Sequence, residues 1–168
     1  MARTKGMNDA INDQMAKEFY AAYLYLGMAA WFEAQALPGF ANWMRLQNEE
    51  EQVHALKLFQ YLLDSGANVE LKEIPAPPKT FKTPLQVMKM ALQHEQKVTA
   101  SINKLYELAS KEKDYPAQLE LQWFITEQVE EERTVSDIIQ RMQHAGDSGA
   151  ALLMIDHELG SRGPEAAE

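Results

Sequence analysis

A carboxylate and an imidazole stand where a long amphipathic helix should be oily. Phe40, Met44, Gln47, Glu51, His54, Leu58 and Tyr61 follow one another at steps of four and three, which is one stripe of a helix. The spacing points Glu51 and His54 together toward a core. An unpaired buried carboxylate costs several kcal/mol, so the pair needs a proton, a cation or a metal.

The pattern recurs on three other stripes. Ile11, Met15, Glu18, Ala22, Tyr25, Ala29 and Phe32 contain Glu18. Met88, Ala91, Glu95, Val98, Ile102, Leu105 and Ala109 contain Glu95. Leu121, Phe124, Gln128, Glu131, Val135, Ile138 and Met142 contain Gln128 and Glu131, again three apart. All keep the alternating steps of a bundle seam. A single Glu on such a stripe usually snorkels or pairs with a lysine, and a single His is usually a hydrogen-bonded core residue. Here four stripes each carry an acid, and none carries Lys or Arg.

Punctuation divides the chain into four long helices and a short fifth within one domain, 1–168. The first begins near Asn8 or Asp9 and breaks at Pro38-Gly39; the second runs from about Phe40 to Ser65, with Gly66 as its stop. Thr83-Pro84 opens a third, ending near Lys113, and Tyr115-Pro116 a fourth, reaching His144. The bundle thus covers about 8–145, the fifth helix about 150–159, and 160–168 reads as a flexible tail. Short links make the first and last pairs antiparallel hairpins. Residues 67–83, with Pro75, Pro77 and Pro78, can travel the ~37–45 Å of a helix of about 25–30 residues. The expected fold is all-α: a ferritin-like four-helix bundle with one long crossover and a short fifth C-terminal helix.

Two helices thus supply one carboxylate each and two supply an i, i+3 pair, the layout of di-iron and di-manganese carboxylate bundles. Gln128 and Glu131 stand where such bundles carry a second Glu-x-x-His. Four adjacent carboxylates cannot all ionise without counter-charge, and two divalent cations would neutralise them. The chain has no cysteine, so any metal takes oxygen and imidazole ligands, a set that suits iron or manganese. The net charge of −9 argues against nucleic acid and anionic membranes and for cations. With no apolar leader, no spanning run and no thiols, the expected location is cytoplasmic.

The sequence resembles the bacterial non-haem ferritins in four blocks: Lys-Glu-Phe-Tyr (17–20), Glu-Glu-Glu-Gln-Val-His (49–54), His-Glu-Gln (94–96) and Gln-Trp-Phe-Ile-Thr-Glu-Gln-Val-Glu-Glu-Glu (122–132). The resemblance implies a ferroxidase that oxidises Fe(II) with O2, or peroxide, and mineralises the product inside a hollow 24-mer shell. It implies one iron held by Glu18, Glu51 and His54, with Glu51 bridging to a second held by Glu95 and Glu131. Gln128 becomes a polar neighbour of the bound oxygen. Glu50, Glu127 and Glu130, each one residue before a centre position, would hold a third iron; the other reading is a solvated charged face. Tyr25 resembles the family's tyrosine beside the centre, a one-electron donor, with Trp123 nearby; both also read as core aromatics.

Departures narrow the resemblance. The haem-containing bacterioferritins carry methionine two residues before the histidine, where this chain has Gln52, so no haem is expected. Gln118 and Leu121 stand where animal ferritins line a threefold channel with acids, so that iron route does not carry over. A rubrerythrin-like oxidase would bring a cysteine-bound iron domain, absent here. A helical interaction module, its buried polar residues fixing register, is the alternative from another class.

Overall fold

A computed structural model describes residues 4–163. It has five helices: α1 (Lys5–Ala34), α2 (Pro38–Asp64), α3 (Pro84–Glu112), α4 (Tyr115–Ala145) and α5 (Gly149–Gly160). All regular structure among the described residues is helical.

The helix ends differ from expectation where capping groups lie further out. Thr4, not Asn8 or Asp9, caps α1, its hydroxyl accepting from Met7 N–H at 3.1 Å. Pro38 does not break the first helix but opens the second, as its missing N–H allows at a first turn. Its N-cap, Leu37, offers no side-chain acceptor, so Asp156 of α5 supplies one, accepting from Phe40 N–H at 2.9 Å. At the other end of α2, Gly66 takes the left-handed conformation (φ 68°), and its N–H reaches back to the Leu63 carbonyl at 3.0 Å. The Thr83, Asp114 and Ser148 side chains cap α3, α4 and α5.

Two apolar clusters fill the bundle. One joins Phe32 and Met28 of α1 with Phe40 and Met44 of α2, Met88 of α3, Val135 of α4 and Ile155 of α5. The other joins Ile11 and Met15 with Leu58, Ile102 and Phe124. The second half of α1 therefore meets the first half of α2, and the second half of α4 meets the first half of α3. Both pairs are antiparallel hairpins. The link from α2 to α3 must then travel the length of the bundle, and it does so along α1. Buried Asn12 holds it, donating to the Asn68 carbonyl at 3.0 Å and accepting from Glu70 N–H at 2.7 Å. Further along, Pro77 packs against Gly27.

Each acid sits between the clusters on its helix. Glu18 follows Met15 and precedes Leu24, Glu51 lies between Met44 and Ala55, Glu95 between Ala91 and Val98, and Glu131 between Phe124 and Val135. The core is two oily layers with a polar one between them. Of the expected tail, Gly160 ends α5 and Arg162 reaches back to α2; residues 164–168 lie outside the described residues.

Candidate metal centre

Helical spacing puts the candidate ligands side by side, and antiparallel packing brings those of the four helices to one level. Glu18 and Glu51 are 1% exposed, Glu95 is 0%, and His54, Gln128 and Tyr25 are buried with them. Glu18, Glu51 and His54 each bring one ligand atom to within 4.8 Å of the others. His54, Glu127 and Glu131 form a second such group, sharing the imidazole with the first.

The electrostatics are those of a cluster short of positive charge. Burial raises Glu18 to about 7 despite the amide of Gln14, which donates to its Oε1 at 2.8 Å. Burial pushes Glu51 well up, and the charges of Glu95, Glu18 and Glu131 push it further. Glu131 is raised by burial and then by Glu95 and Glu50, while Gln47, donating to its Oε2 at 2.8 Å, and Arg162 oppose this. His54 moves the other way, to about 4, through burial and the nearby Lys57 ammonium, so its ring is neutral at pH 7 and has a lone pair to offer. Its ring meets Trp123 edge-on at 5.4 Å, and Lys57 lies over that indole.

Three carboxylate oxygens decide what the site can take. Glu18 Oε2 and both oxygens of Glu51 meet no aligned hydrogen-bond donor, although His54 Nδ1 stands 3.3 Å from Glu51 Oε2. When Glu51 holds a proton it can donate it to Glu18, and a cation between the two would do the same work. Orphaned buried carboxylate oxygens beside a neutral imidazole fit a divalent metal.

The remaining residues fall into different places. Glu95 joins neither group; its Oε1 accepts from the Tyr25 hydroxyl and its Oε2 from Gln128 Nε2 at 3.2 Å. These donors partly offset the rise that burial imposes on Glu95. Gln128 also donates to the Glu95 carbonyl at 3.2 Å and to Thr99 Oγ1 at 3.3 Å. Tyr25 is itself pushed well up, by burial first and then by Glu95, Glu131 and Glu51. Among the described residues, Glu50, Glu127 and Glu130 do not gather into one metal-holding group. Glu127 stands four before Glu131, one turn away on the same side, and so faces His54. Glu130 is exposed, and Glu50 pairs with Arg162 at 2.6 Å.

Sequence reasoning missed the residues that hold the acids. Gln14 lies four before Glu18, a spacing that could have revealed it. Gln47 lay on its stripe without a role, and nothing local marked Arg162.

The sequence model of the Ferritin family, a Ferritin-like domain, matches residues 8–145. The chain belongs to the ferritin family. This ferritin is 40% identical to the bacterial non-heme ferritin of Staphylococcus haemolyticus over 159 residues, which cover 95% of this chain and 96% of that one. It is 38% identical to the bacterial non-heme ferritin of Staphylococcus aureus strain USA300, at the same coverage. Its fold superposes with a TM-score of 0.95 on a novel open pore ferritin from the hyperthermophilic archaeon Archaeoglobus fulgidus, at 40% identity, covering 96% of this chain and 99% of that one. A humanized archaeal ferritin gives 0.96 at 39% identity, covering 98% and 99%. Among the described residues no helix is long and apolar enough to cross a membrane.

Proposed function

We propose that this ferritin is a ferroxidase and iron store. It binds Fe(II) at the buried centre, oxidises it with O2 and mineralises the Fe(III) product inside a hollow 24-mer shell. The observation that carries this reading is the set of unpartnered carboxylate oxygens on Glu18 and Glu51 beside neutral His54. The names of its relatives support iron as the metal.

Glu18, Glu51 and His54 hold one iron, and Glu51 bridges to a second bound by Glu131 and Glu95. Glu127 adds a carboxylate at the His54–Glu131 side. Two divalent cations balance four buried carboxylates, which offsets the cost of holding those charges out of water. Each Fe(II) gives one electron to O2, and the protein supplies geometry and charge neutralisation. Gln128, its amide held by Glu95 and Thr99, is the polar neighbour of the oxygen, and Tyr25 is a one-electron donor beside Glu95. Glu127, on the His54–Glu131 side, is where iron leaves the centre on its way to the mineral, without a joint site on Glu50 and Glu130. The reading puts the protein in the cytoplasm, where Fe(II) is supplied.

Glu51→Ala tests it. The variant should fold, because losing one of several repelling carboxylates relieves the cluster, and it should lose the fast phase of Fe(II) oxidation. Stopped-flow absorbance after mixing Fe(II) with aerobic protein reads this out. A wild-type initial rate would sink the assignment.

A further inference from the structure

The segment after α5 carries an inference that rests on the metal-centre reading. α5 is seated on the start of α2 at two points. Asp156 Oδ1 accepts from Phe40 N–H at 2.9 Å, and the Asp156 carbonyl lies so close to Gly39 that an added Cβ would fall 1.6 Å from its oxygen. Seated there, the chain leaves α5 beside the first turns of α2. Arg162 then extends over the Trp43 ring, 5.6 Å from its centroid. One guanidinium nitrogen donates to Gln47 Oε1 at 2.5 Å and another to Glu50 Oε1 at 2.6 Å.

Trp43, Gln47 and Glu50 are successive turns of one face of α2, so the arginine lies along that face with both ends of its fork engaged. The contact continues inward. Gln47, its carbonyl held by Arg162, turns its amide nitrogen to Glu131 Oε2 at 2.8 Å. A fixed positive charge therefore stands one side chain away from a carboxylate of the centre, and it engages a second carboxylate, Glu50, beside it.

We propose that Arg162 is a tethered counter-cation. While its guanidinium holds Glu50 and Gln47, it lowers the affinity of the His54–Glu127–Glu131 group for a divalent cation. The C-terminal segment thereby sets how readily that side of the centre fills and empties, and it favours passing the metal on over retaining it. The charge performs this role through its pairing with Glu50, which an ammonium reaching the same carboxylate would also make.

The test uses Co(II) as the probe, titrated into the full-length, chelator-treated protein and followed by visible absorption, with particle size checked for each variant. R162Q should tighten the weaker of the Co(II) ions that depend on the centre on the order of tenfold, the effect of removing one partly exposed unit charge at close range. R162K, which keeps the charge, should stay close to wild type. Unchanged or weaker Co(II) binding in R162Q would overturn the proposal. So would an R162K variant indistinguishable from R162Q, because the arginine would then be only a structural pin. Failure of the underlying reading looks different: wild-type protein would bind no Co(II), or would bind it as well after Glu51→Ala.

Discussion

Replacing Glu18 by glutamine should make the metal-free protein more stable while disabling its chemistry. The Glu18 carboxyl is buried, with its pKa raised from the usual 4.5 to about 7. The folded chain therefore holds this proton more tightly than the unfolded chain. The sign follows: stability falls as pH rises from about 4.5 through about 7, and the penalty is complete above that. A gap of that size corresponds to about 3 kcal/mol once the group is ionised. Glutamine is isosteric and uncharged, and its carbonyl still accepts from Gln14, which here donates to Oε1 at 2.8 Å. Its amide can in addition serve one of the unpartnered oxygens of Glu51. The variant should thus exceed wild type by roughly 3 kcal/mol at pH 8 and by about half that at pH 5.5, where the wild-type carboxyl is protonated in the fold. His54 and His94, both lowered to about 4 by burial, penalise acid pH instead, but they contribute equally to both proteins at each pH. Guanidinium chloride unfolding of chelator-treated protein, followed by circular dichroism, measures the difference. A variant less stable than wild type at pH 8, or a gain that does not change with pH, would refute the argument.

Glu127 and Glu130 should separate in their effects although they are close in sequence. Glu127→Ala should slow the first burst of Fe(II) oxidation several-fold, because Glu127 shares a metal-holding group with His54 and Glu131. Glu130→Ala should leave that burst near normal, since the residue is exposed and belongs to neither group; stopped-flow bursts of both variants decide. Gly39→Ala should loosen α5. Its Cβ would lie 1.6 Å from the Asp156 carbonyl oxygen, so the helix must move away and give up the Asp156 bond to Phe40 N–H. A loss of about 1–3 kcal/mol is expected, read as a lower denaturation midpoint, and an unchanged midpoint would show that α5 is not held there.

The helices, their antiparallel pairing and the level of the acids were legible in the sequence because they follow from local rules. A 3.6-residue period puts Glu18, Glu51, His54, Glu95, Gln128 and Glu131 on inward faces whatever those faces meet. Chain reach limits how residues 67–83 can travel. Proline and capping residues mark the helix ends, within the few residues by which Thr4 and Pro38 shifted them. What lay beyond those rules was which inward groups satisfy one another, because that depends on axial stagger and crossing angle between helices. Packing gave Glu95 to Tyr25 and Gln128, and it brought Glu127 into one group with His54 and Glu131. Long-range contacts went furthest beyond local signals. Asp156 caps a helix that begins 118 residues earlier, at Pro38, and Arg162 reaches Glu50 across 112 residues. No periodicity encodes such pairs, since they exist only once α5 has docked and brought its carboxylate and the following guanidinium against α2.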